Sequence, residues 1–173
     1  LHHTVTTGNG DSAAAVRAIW EYHTFTQGWG DIGYNYLVDL NGFIFEGHLN
    51  GNYQEWDVVG VHSGAANAGG MAASLLGNFA LPGNIPSTAM LNATADLFAW
   101  KADQRDIDPY GASRMVNVSW GLPHILGHRD VYGGTNTQCP GDNAYDYLPW
   151  LRNAVATRIG FVSPYLYVDE LSS

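Results

Sequence analysis

The chain has 173 residues, 46% of them hydrophobic and 13% aromatic, which suits one domain with a well-buried core and is short for two. Its formal net charge of −9, with one lysine (Lys101) and six arginines, excludes a general phosphate-backbone binder, so no nucleic-acid partner is expected. No apolar run approaches the roughly 20 residues that cross a bilayer, and the single cysteine, Cys139, rules out an internal disulfide.

The opening LHHT reads as the middle of a strand, from which we expect a longer chain to have been trimmed there, any secretion leader included. Leu1 to Thr7 is rich in β-branched residues and meets GNGD, a strand and a turn. From Ser12 the period changes, with Val16, Ile19, Trp20 and His23 at i, i+3, i+4 and i+7 of a helix capped by Asp11 or Ser12 and closed by the glycines of QGWGD. That spacing assigns His23 to the core. YNYLVDLNGFIFEG is a β-hairpin whose NG supplies the turn.

DVVGVHSG and SLLGNF are predicted as strands flanking the small-residue loop AANAGGMAA. IPSTAMLNATADLFAWKAD predicts a second helix with a Ser or Thr cap and Met90, Leu91, Leu97 and Phe98 on one face. A strand around HILGHRD, the loop VYGGTNTQCPGD and a last helix from about Asp146 to Arg158 follow. Strands and helices interleave without a repeat, which predicts an α/β fold: a single domain over residues 1–160 with a mixed central β-sheet packed by helices, and 161–173 as a tail or linker stump. The six tryptophans are expected mostly in the core, since aromatics supply much of the buried area in a domain of this size.

Seven histidines and one cysteine direct attention to zinc, for which imidazole and thiolate are the preferred ligands. A lone cysteine is more often an inert small hydrophobe. Cys139, however, follows His128 by 139 − 128 = 11 positions of Gly-, Thr- and Asn-rich loop that can fold back onto one ion, although this is not zinc-finger spacing. On a strand, successive side chains point to opposite faces, so only one of His2 and His3 can face a given site; alternation does not select which. His124, four residues before His128 on a predicted strand, lies ~13 Å from it and is excluded as a ligand of the same ion. Tyr34 and Tyr36 share a face if their strand is regular, and His62, at the end of an apolar strand, suits either an edge or a site.

Several separated motifs then coincide. HHT at the start, YHTFTQGWGDIGYNYLV with GFIFEG, VGVHSGAANAGG with LLGNF, and GHRDVYGGTNTQCPGD occur in an order that resembles the peptidoglycan recognition proteins and type 2 (T7 lysozyme-like) zinc N-acetylmuramoyl-L-alanine amidases. The resemblance runs from Leu1 to about Gly160. It implies one catalytic Zn2+ held by His2, His128 and Cys139, catalytic roles for Tyr34 and Thr137 (with Thr135 as the alternative to Thr137, because the loop is long), and a substrate groove lined by His62 and Asn67. Three protein ligands leave the fourth tetrahedral position open, the pattern of a catalytic rather than a structural zinc site.

The implied activity is hydrolysis of the amide between the lactyl group of N-acetylmuramic acid and L-alanine of the peptidoglycan stem peptide. The alternative is a recognition module that binds peptidoglycan without cutting it; such modules tend to lack the metal-binding cysteine, which is present here. The resemblance also implies a peptidoglycan or muropeptide partner, a monomer, and a secreted or cell-envelope location. Lack of the extra cysteine pairs common in animal recognition proteins points to a bacterial or phage source. Where relatives commonly have Glu-Gly-Arg this chain has Glu-Gly-His48, and Trp56, in the polar stretch NYQEWD, is the candidate for glycan contact.

Overall fold

In the computed structural model, which describes residues 1–7, 10–48, 58–115 and 117–161, a four-stranded mixed sheet has the order β1-β4-β2-β3. The strands are short: β1 His2–His3, β2 Tyr36–Val38, β3 Ile44–Glu46 and β4 Ala73–Leu75. β2 and β3 form the hairpin expected around Asn41-Gly42, while β4 runs parallel to both β1 and β2. A small antiparallel ribbon, β5 Ala112–Arg114 and β6 Gly121–Pro123, stands apart.

Register and alternation decide what each sheet face holds. Ser74 of β4 is level with His2 on one side and Leu37 on the other, and Leu75 is level with His3 and Val38. His2, Ser74 and Leu37 therefore share one face, and His3, Leu75 and Val38 the other. Val38 and Leu75 pack with Met90, Leu97 and Phe98 of α2 (Thr88–Arg105) and Leu151 and Val155 of α4 (Leu148–Arg158), the main core. Leu37 meets Val16 and Ile19 of α1 (Ser12–Glu21), which continues as a π-helical turn over Tyr22–Thr26.

The helix caps follow the sequence. Asp11 accepts from the Ala14 N–H to start α1, and Ser87 accepts from the Met90 N–H to start α2. Four expectations need correction. The stretch around Val58–Ser63 is not a strand, because the His62 and Ser63 N–H groups are both taken by the Asn67 side chain. Nor is HILGHRD a strand: the Ile125 carbonyl accepts from the Arg152 guanidinium, the Gly127 N–H donates to Asp130, and His128–Tyr132 coil into a 3-10 turn.

The last helix begins earlier than expected and is broken, as α3 (Asp142–Tyr145) and α4, with Pro149 in the first turn of α4 where its missing N–H costs nothing. Finally, Trp20, Trp29, Trp100, Trp120 and Trp150 are all 39% exposed or more. Leu, Met, Ala, Val and Phe side chains, many of them from α2 and α4, fill the main core instead. Trp56 and residues 162–173 lie outside the described residues.

Asp39, buried at the end of β2, joins the hairpin to α1. Its Oδ1 accepts from the Asn41 and Phe43 N–H groups at 2.9 and 2.8 Å, and its Oδ2 accepts from the Ser12 hydroxyl at 2.8 Å. Asp39→Ala leaves these donors without their acceptor and should lower the unfolding free energy in urea by about 2–4 kcal/mol.

Candidate metal centre and its cleft

His2 projects from the edge strand β1 toward the α1 side of the sheet. His3, one residue on, faces the opposite way, and its Nδ1 accepts from the Phe79 N–H at 3.2 Å. The 3-10 turn bearing His128 is docked on β1 by the bond from the His128 N–H to the Leu1 carbonyl, 3.1 Å. The Cys139 loop is tied to the same turn: the Arg129 N–H donates to the Cys139 carbonyl at 2.9 Å, and the Arg129 guanidinium bonds Asp142 and the Gln138 carbonyl and lies over the Tyr145 ring. Asp130 completes the clamp by accepting from the Tyr145 hydroxyl at 2.6 Å.

These supports bring one donor atom each of His2, His128 and Cys139 within 4.8 Å of one another. The His2 and His128 rings are 4.6 Å apart, and Cys139 Sγ is 3.6 Å from His2 Nδ1. Tetrahedral ligation with zinc–sulfur and zinc–nitrogen bonds of about 2.3 and 2.05 Å would separate those two atoms by about 3.6 Å. The donor set and its spacing therefore fit a zinc ion. His124 stands away from this cluster, its Nδ1–H donating to the Asp108 carbonyl and its Nε2 accepting from Ser113.

Burial shapes the electrostatics. It holds His2 well below the usual histidine range, lowers His128, takes His62 down to about 3 and pushes the Cys139 thiol up. Two neutral imidazoles are already in ligand form, whereas the thiol must release its proton to solvent when a cation binds. Burial also raises Tyr34 to about 12, so its hydroxyl is a donor throughout the neutral range.

A cleft of about 600 Å³ opens over the cluster, lined by Tyr34, His62, Thr137 and the three ligand candidates, with Val5, Trp29 and Val61 on its rim. The Tyr34 ring lies 5.4 Å from His2, centroid to centroid, and packs on His23, whose Nδ1 accepts from the Gly33 N–H. His23 is buried as expected, but as a support for Tyr34 and Trp29 rather than as an aliphatic substitute. Tyr36 does not share the cleft, contrary to the strand alternation: β2 begins only at Tyr36, whose ring turns to Trp100. Thr137 accepts from the Cys139 N–H at 3.1 Å, while Thr135 is exposed and bonds the Tyr132 carbonyl.

Asn67 is not brought into the cleft; its Oδ1 holds the His62 and Ser63 N–H groups at 2.9 and 2.6 Å. His48 pairs with Asp31 at 3.0 Å. Ser63, Arg129 and Asp130 are organising residues that sequence reasoning passed over. A Ser in a glycine-flanked turn and an Arg-Asp pair carry no local sign of the contacts they make.

The family described as N-acetylmuramoyl-L-alanine amidase matches residues 1–142. The chain belongs to that family. A human N-acetylmuramoyl-L-alanine amidase is 33% identical over 138 residues, 79% of this chain but 20% of the human protein. Peptidoglycan-recognition protein SC2 of Drosophila simulans is 30% identical over 152 residues, 86% of this chain and 70% of that one. The chain thus spans about a fifth of the first relative and most of the second.

Among solved structures, the ectodomain complex of peptidoglycan recognition proteins LCa and LCx with bound tracheal cytotoxin superimposes with a TM-score of 0.63, with 25% identity over 85% of this chain and 76% of that one. The mixed-sheet fold is that of the amidase and recognition-protein family. The relatives named here are animal proteins and lend no support to a bacterial or phage source.

The buried histidines set a pH dependence for the metal-free protein. His2, His3, His62 and His128 have folded pKa values below the unfolded 6.5, so the unfolded chain binds more protons below that pH. Their stabilisation is present above pH 6.5 and is lost as pH falls, through about 4 for His3 and about 3 for His62. Cys139, raised above 9.0, acts in the opposite sense and reduces stability as pH rises past 9. Urea unfolding in chelator should show an acid limb steeper than the ~1.4 kcal/mol per pH unit of one histidine. A flat profile down to pH 4.5 would show that the imidazoles are hydrated.

Proposed function

We propose that this protein is a zinc-dependent N-acetylmuramoyl-L-alanine amidase that hydrolyses the bond between the lactyl group of N-acetylmuramic acid and L-alanine of the peptidoglycan stem peptide. The observation that carries this reading is the convergence of His2, His128 and Cys139 within 4.8 Å of one another, with the Cys139–His2 pair at the spacing of tetrahedral ligation, beneath an open cleft. When bound, zinc supplies a Lewis acid and a water of lowered pKa.

The chain's own residues have separable tasks. His2, His128 and Cys139 would hold the ion. Tyr34, protonated at neutral pH and buried beside His2, donates its hydroxyl to the carbonyl oxygen as negative charge gathers there. Thr137 steadies Cys139 through the backbone and presents its side chain to the cleft beside it. His62, neutral and edge-on to His2 at 5.2 Å, narrows the floor and binds substrate without adding charge. Val5, Trp29 and Val61 give the rim an apolar surface for the substrate's less polar faces. Such a substrate puts the site of action outside the cytoplasm, in a secreted or envelope-associated protein acting as a monomer.

The test is incubation of purified protein with peptidoglycan, with and without a chelator, reading free stem peptide with an L-alanine amino terminus. Zinc-dependent release is expected; binding to the polymer without release would instead favour a recognition module. Cys139→Ser should abolish zinc retention and hydrolysis together, and full activity in that variant would remove Cys139 from the ligand set. Tyr34→Phe should retain zinc but lower kcat by about 10²-fold or more, the scale of one lost donor to a developing oxyanion.

A further inference from the structure

We infer that Ser63 is the positioning residue of His2, setting the imidazole tautomer that lets Nδ1 accept a metal ion. The inference rests on the reading of His2 as a ligand and adds to it a group outside the ligand set. Ser63 Oγ lies between two imidazoles, 2.7 Å from His62 Nδ1 and 3.4 Å from His2 Nε2. A hydroxyl has one proton to give. It can accept from His2 Nε2–H, giving its own proton to His62 or elsewhere, or it can donate that proton to His2 Nε2.

Only the first arrangement serves a metal. His2 has its Nδ1 on the Cys139 side, 3.6 Å from Sγ, and that nitrogen needs a free lone pair to ligate. The proton must then sit on Nε2, where Ser63 Oγ accepts it. The second arrangement places the His2 proton on Nδ1, facing Cys139, and blocks the site. Ligand histidines commonly have their other ring nitrogen fixed in this way by a hydrogen-bonding partner.

The surroundings hold Ser63 in place for the task. Its N–H donates to Asn67 Oδ1 at 2.6 Å, and its carbonyl accepts from the Tyr132 hydroxyl at 3.1 Å. Tyr132 belongs to the turn that carries His128, with the two rings 5.7 Å apart, so the Ser63 backbone is anchored to a second ligand segment. Tyr132 reaches that carbonyl across Gly64, where an added Cβ would stand 2.4 Å from the tyrosine oxygen and where φ is +55°. Gly64 is thus required by both the approach and the backbone. Ser63 is itself buried, 5% exposed, so water does not readily replace its hydroxyl.

Two measurements test the assignment. Long-range proton–nitrogen correlation spectra of the zinc-free wild-type protein should show His2 protonated at Nε2; a proton on Nδ1 would overturn the inference whatever any variant does. Zinc affinity, read by competition with a chromophoric chelator, should fall about 10- to 100-fold in Ser63→Ala. In the same variant the melting temperature of the zinc-free protein should stay near wild type and the His2 signals should move toward a tautomer mixture. Ser63→Thr, which keeps the hydroxyl, should recover most of the affinity.

Equal zinc affinity in wild type and Ser63→Ala would overturn the inference. So would a loss in Ser63→Ala that tracks a fall in zinc-free melting temperature, with no change of tautomer. If Ser63→Ala does not fold, the wild-type spectra and the Ser63→Thr affinity decide. Wild-type protein that binds no zinc yet shows the Nε2–H tautomer would overturn the metal reading while supporting the Ser63 link.

Discussion

Two imidazoles and a thiol converge at a buried point where the described lining supplies no carboxylate. Each is held in its uncharged form by burial, so the cluster has no internal ion pair to satisfy it. A cation that takes the thiol proton's place is the natural complement. Much of the surrounding structure reads as the means of keeping three distant segments at that point.

The means are mainly backbone hydrogen bonds and a few buried polar side chains. Parallel pairing of β1 with β4 gives His2 its face and depth, since an edge strand of two residues has little else to fix its rotation. Arg129 then fastens the 128–132 turn to the Cys139 loop, and Asp130 fastens it to α3. Asn67 gathers the 62–63 backbone, which would otherwise expose two unpaired N–H groups. The ligands and the cleft wall therefore depend on one connected polar framework, seated on the apolar packing of the sheet against α2 and α4.

Where local chemistry was sufficient, the sequence was readable. The Asn41-Gly42 hairpin, the Ser87 cap and the buried face of α2 all formed as expected, because turn propensity, capping and 3.6-residue spacing act over a few residues. The errors share a cause. DVVGVHSG and HILGHRD have strand-like composition, but Asn67, Arg152 and Asp130 claim the backbone groups that a strand would pair. Tyr36 left the face of Tyr34 because the chain bends before β2 begins. The five described tryptophans are exposed, because the core is filled by aliphatic side chains with Phe79 and Phe98.

Composition and motif order alone established one mixed α/β domain, an acidic chain unsuited to nucleic acid, and membership expectations that the family match bears out. Strand alternation further showed that His2 and His3 must differ. Only the tertiary structure decided how they differ, with His2 against Cys139 and His128 and His3 against the Phe79 N–H, because that depends on which face β4 presents to each. It alone placed Thr137 rather than Thr135 in the cleft, turned Asn67 into a backbone clamp and set Ser63 between two imidazoles. Those contacts join residues up to 137 positions apart, and no local propensity encodes a distance of that kind.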